Sequence, residues 1–200
     1  MTEVLGVKMA RRESYVLNLP KFSLEDIDVW LERADDETSI SVTNLMRSSF
    51  DRDSLGALKY FVRGGNKEKV YDYHVLPSGL SVPIVSQELM EALSDVIPSC
   101  EALFVPVVLL NLNNDFKCWA LAPTEHRPCT DLAKSAVRSW LIPGSVVLKF
   151  DTMRLRDDAL GERSIVRDSN YPAHVVVSSK VADVFNRFKS ANFEVVSGIF

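Results

Sequence analysis

Pro83-Ile84-Val85-Ser86-Gln87-Glu88-Leu89-Met90-Glu91-Ala92-Leu93, with Phe104-Val105-Pro106-Val107-Val108-Leu109-Leu110 behind it, is the stretch that decides the fold. It reads as a short apolar strand, a serine cap, a helix and a longer apolar strand. Ser86 suits the N-cap because its hydroxyl can accept from first-turn N–H groups, and Glu88 and Glu91 lie near the positive helix end. Leu89, Met90 and Leu93 form an inward face at helical spacing, continued by Val96 and Ile97, and Pro98 stops the helix. The pattern returns at the end of the chain as Val175-Val176-Val177-Ser178-Ser179-Lys180-Val181-Ala182-Asp183-Val184-Phe185 and then Phe193-Glu194-Val195-Val196. Laying Ser178 on Ser86 brings Val177 onto Val85, Val181 onto Leu89 and Phe185 onto Leu93. Two strand-cap-helix-strand units predict an α+β fold of mixed or antiparallel sheets with packed helices. The units can share one sheet or form two lobes.

Between the units, Phe104–Leu110 and Phe116–Leu121 flank the asparagine-rich turn Asn111-Leu112-Asn113-Asn114-Asp115, the clearest hairpin in the chain. Ser145–Phe150 is a strand, Ser164–Arg167 a shorter one, and Ser135–Trp140 reads as a helical turn. Upstream, Glu13–Pro20 predicts the first strand. Ser23 and Asp26 resemble a capping box, and Ile27, Trp30 and Leu31 give the following helix an apolar face. Thr38–Val42 reads as a brief strand, whereas Leu55–Tyr60 fits helix or strand equally. Residues 1–70 are expected as a smaller, partly helical acidic region added to an α+β domain over 71–200.

Composition bounds the function. The 200 residues are 46% hydrophobic and 25% charged, ordinary for a globular chain. No run approaches the roughly 18 apolar residues of a membrane span, and the N-terminus lacks the order of a secretory signal. Three cysteines without C-x-x-C spacing favour a reducing cytoplasm and are too few for a structural zinc site. Net charge is −4; residues 1–100 hold 11 basic and 16 acidic side chains, residues 101–200 hold 12 and 11. Nucleic acid is an unfavoured partner because it needs a concentrated basic footprint. A basic protein partner is compatible with the acidic surplus.

Chemical motifs are weak. His74, His126 and His174 lack metal-ligand spacing, and no nucleophile elbow, phosphate-binding loop or dinucleotide fingerprint is present. Cys129, His126 and Asp131 can be written as a nucleophilic set, but residues so close in sequence rarely reach that geometry. No catalytic residue, cofactor or metal is therefore expected. Seven of the thirteen residues from Glu25 to Glu37 are carboxylates, which fits either a solvated face or a docking surface. Trp30, Trp119 and Trp140 can serve as core or as interface anchors.

The segment over roughly residues 72–196 resembles a bacterial family of immunity proteins from polymorphic and contact-delivered toxin systems. Its marks are Pro83-Ile84-Val85-Ser86-Gln87-Glu88-Leu89, Phe104-Val105-Pro106-Val107, the aromatic arm Phe116–Leu121, Asp131-Leu132 and the Val175–Phe185 cap-helix. The resemblance implies a cytoplasmic antidote that binds a cognate toxin and occludes its active site or substrate path, with no active site of its own. The toxin-binding candidates are Glu25, Asp28, Trp30, Glu32, Asp35, Asp36 and Glu37, then Asn113 and Asn114, and Arg156 and Asp158. A non-enzymatic adaptor and a small enzyme of unrecognised chemistry are the alternatives.

Overall fold

A computed structural model describes residues 13–18, 29–47, 55–78, 82–112, 115–188 and 194–197. The first unit folds as β5 (Ile84–Ser86), α2 (Gln87–Ser94) and β6 (Ala102–Leu109). The second folds as β12 (Val175–Ser178), α3 (Ser179–Arg187) and β13 (Glu194–Ser197). Each contributes to its own sheet. The larger sheet also contains β2 (Val29–Arg33), β3 (Leu58–Gly64), β4 (Val75–Leu76) and β7 (Cys118–Pro123), in the order β2-β3-β6-β7-β5-β4. The other is β13-β1-β12-β11-β8, with β1 (Ser14–Asn18), β8 (His126–Arg127) and β11 (Ile165–Asp168).

The repeat extends further than the two helical units. Within β6-β7-β5-β4 and within β13-β1-β12-β11 every neighbouring pair is antiparallel. Val85 stands between Trp119 and Val75; at the matching position Val177 stands between Tyr15 and Ile165. The Ser86 amide donates to the His74 carbonyl and the Ser178 amide to that of Ser164, both at 2.8 Å. The same four-strand sheet therefore occurs twice, with N-terminal β1 holding the place that β7 holds in the first copy. Each copy then carries one parallel neighbour, β3 beside β6 and β8 beside β11.

Strict alternation along these strands sorts the core. Val85, Leu121, Leu17, Val175, Val177 and Ile165 meet Leu89 and Leu93 of α2 and Val181, Val184 and Phe185 of α3 in one cluster between the sheets. The alternate residues Ile84, Val105, Val107, Ala120 and Ala122 face outward to a second core. That core is covered by Val70 and by Val42 and Leu45 of α1 (Asp36–Met46). Val16, Val166 and Val176 face a third, against Cys129, Met153 and Leu160.

Several local expectations are corrected. Val29–Arg33 is a strand, not part of a helix, since β-branched and apolar residues at alternate positions pair antiparallel with β3. The proposed Ser23–Asp26 cap lies outside the described residues. The helix starts later: the Asp35 carboxylate accepts from the Thr38 amide at 2.7 Å, and Thr38, Val42 and Leu45 are buried at helical spacing. Thr38–Val42 is thus helical, not a strand. Ser135–Trp140 is not a helical turn; Ala136–Ile142 forms β9, paired with β10 (Val146–Thr152). Residues 1–70, expected as an added lobe, place β1 in the middle of one sheet and β2 and β3 in the other. Among the described residues no helix is long and apolar enough to cross a membrane.

Candidate protein-binding surface

Among the described residues, the face of the larger sheet that packs on α2 is only partly covered. Phe104, Trp119 and Leu121 meet the helices, but β6 runs past them towards β3 and β2. Residues directly opposite in paired strands share a face. Trp30 lies opposite Arg63, Glu32 opposite Phe61, and Lys59 beside Val108. Their sequence neighbours Leu31, Leu58, Tyr60, Val62 and Val107 are all buried on the other side. What remains is an open sheet face carrying Trp30, Phe61, Val108 and Leu110 among charged residues. Val108 and Leu110 are 40% and 47% exposed, and Trp30 and Phe61 are half-buried.

Its charges are held in place. Arg63 pairs with Glu32 and lies 5.0 Å over the Phe61 ring. Lys59 reaches Asp35 at 3.7 Å, while its amide donates to the Thr38 hydroxyl at 3.1 Å. The Thr38 amide at its oxygen, more than Lys59, holds the Asp35 carboxyl below the usual carboxylate range. Asn111 accepts from the Val62 amide and donates to the Val62 carbonyl, each at 2.8 Å, fixing the end of β6 on β3. The face thus carries paired charges beside its exposed apolar side chains.

The candidates from the sequence separate into different places. Trp30 and Glu32 lie on the open face and Asp35 at its rim. Asp36 and Glu37 occupy the exposed first turn of α1, which packs on the opposite face of the sheet. Arg156 and Asp158 pair with each other at 3.1 Å beside the other sheet, and the Arg156 hydrogen bond lowers the Asp158 pKa. They line an open depression of about 560 Å³ with Thr130, Asp131 and Asn170. Glu25, Asp28, Asn113 and Asn114 lie outside the described residues. Sequence reading missed Phe61, Val108 and Leu110. The available signal was Pro106, Val108 and Leu110 at the alternate positions of a strand apolar on both faces.

Two groupings invite a chemical reading. His74 Nδ1 lies 3.1 Å from the Ser86 hydroxyl and 3.3 Å from a Glu88 oxygen. A relay uses one ring nitrogen for the nucleophile and the other for the carboxylate; here a single nitrogen faces both. Ser86 is 5% exposed and its oxygen accepts the Leu89 amide at 3.4 Å, so it acts as the helix cap. Near the other sheet, the Cys129 thiol donates to the Ala159 carbonyl at 3.4 Å. Burial and the neighbouring Asp168 push its pKa up, the wrong direction for a nucleophile. No group of three or more metal-ligating side chains occurs among the described residues.

No family model matches this sequence, and no curated protein does either.

Proposed function

We propose that this protein is an immunity protein that binds a cognate bacterial toxin in the cytoplasm and covers its active site or substrate path. The open β2–β3–β6 face carries the reading: a partly apolar sheet surface that holds Trp30, Phe61, Val108 and Leu110 among paired charges. Hot spots favour such aromatic anchors with arginine beside them. The resemblance over roughly residues 72–196 points to the same reading. The net charge of −4 favours approach to a basic toxin surface.

Co-expression with the toxin is the test. The wild-type chain should restore growth, and Val108→Glu should abolish protection while leaving the melting temperature unchanged. Trp30→Ala should weaken binding about tenfold or more, as loss of an aromatic anchor does. Equal protection by both variants would remove this face from the interface. No protection by the wild-type chain against any toxin from its own host would end the immunity reading.

A further inference from the structure

We infer that Glu101 is the latch of a polar clasp that fixes the angle between the two sheets. Glu101 lies immediately ahead of β6 in the larger sheet and is only 7% exposed. Glutamate is rarely buried so deeply unless it is paired. One of its carboxylate oxygens accepts from the Ser164 amide at 2.6 Å, directly ahead of β11 in the other sheet. The second oxygen lies 3.9 Å from Arg163. Arg163 donates in turn to Glu125 at 2.6 Å, and Arg127 reaches the other Glu125 oxygen at 3.1 Å. Four charges of alternating sign thus run from the start of β6 to β8, where the chain passes from one sheet to the other. Burial opposes the charge on Glu125, but the two arginines outweigh it and hold its carboxyl below the usual carboxylate range. Gly161, at φ +58, leaves room for the last member: a Cβ there would stand 3.0 Å from the Arg127 guanidinium.

The apolar core shared by α2, α3 and both sheets holds the halves together but gives little direction, because apolar burial depends on area and not on orientation. A charge-assisted hydrogen bond has a preferred length and direction. Turning either sheet would pull the Glu101 carboxylate away from the Ser164 amide and leave that part-buried donor without its acceptor, which is costly. The constraint also reaches further into the second sheet. The Ser164 carbonyl accepts from the Ser178 amide at 2.8 Å, so the place of Glu101 is passed on to the end of β12 and the start of α3. Glu101 is therefore a positioning residue whose work is the setting of one half against the other.

Residual dipolar couplings of the backbone amides, measured on the full-length chain, test this independently of the immunity reading. One alignment tensor should fit both sheets of the wild-type protein. In Glu101→Ala the two sheets should require tensors of different orientation or magnitude, and the Ser164 amide should exchange at least tenfold faster. Glu101→Gln keeps an acceptor for Ser164, so it should retain the single tensor and the slow exchange. A single tensor for both sheets in folded Glu101→Ala would overturn the clasp. Split tensors in Glu101→Gln with the Ser164 amide still protected would overturn it equally, and that result can be read even where the alanine variant does not fold.

Discussion

His174 sits at the start of β12 with its ring against Tyr171, centroids 4.3 Å apart, and burial pushes its pKa down to about 3. Between the ordinary histidine value of 6.5 and about 3, the unfolded chain binds a proton that the folded chain refuses. Stability must therefore fall as pH drops through that window. His126 is shifted the same way by burial and by Arg167. Denaturant midpoints taken from pH 7 to 4 should decline, and His174→Gln should flatten the decline. A slope unchanged by that substitution would show that His174 does not carry the linkage. Asp35 adds to the acid-side loss at lower pH. Its folded pKa is depressed, so its capping contribution is full above the ordinary carboxylate value of 3.8 and is lost as pH falls through the folded value. Asp35→Ala should lower the melting temperature at pH 7 and do much less near pH 2. Neither site was legible from residue type: a capping aspartate and a surface aspartate look alike in an acidic run, and only Thr38 at hydrogen-bond distance separates them.

At the level of elements, the two cap-helix units are alike in sequence but not in their caps. Ser86 accepts from Leu89, whereas Ser178 makes no side-chain cap bond. Ser86→Ala should cost about 1 kcal/mol, the usual worth of a cap, and Ser178→Ala clearly less. Chemical denaturation of both variants decides it, and equal losses would mean that the Ser86 contact adds nothing. Both units, the β6–β7 hairpin and β11 follow from alternation and helical spacing, because those periods report directly which side is buried. The segment around residues 29–42 does not. Trp30 and Leu31 with Ile27 fit a helical face, while Val29 and Leu31 fit a strand equally well. The β3 ladder chose the strand. Ser135–Trp140 similarly contains residues that suit either state, and pairing with β10 fixed it as a strand.

For the whole molecule, the shared core between the sheets is the joint on which both halves depend. Phe185 from α3 and Leu89 and Leu93 from α2 belong to one buried cluster with strands of both sheets. Phe185→Ala should cost about 3–5 kcal/mol and unfold both halves together. Tryptophan fluorescence and far-UV circular dichroism should give coincident transitions. Separate transitions would mean that the sheets are independent lobes. The amino-acid sequence alone determined the α+β class, the two repeated units and their inward helix faces, because local periodicity and cap chemistry depend on near neighbours. It also placed Trp30 among the interface candidates. Only the tertiary structure set β1 into the second sheet in the position of β7, and left Phe61, Val108 and Leu110 on an open face. Those outcomes depend on which strands pair across more than a hundred residues and on where the covering helices stop, and no local pattern records either.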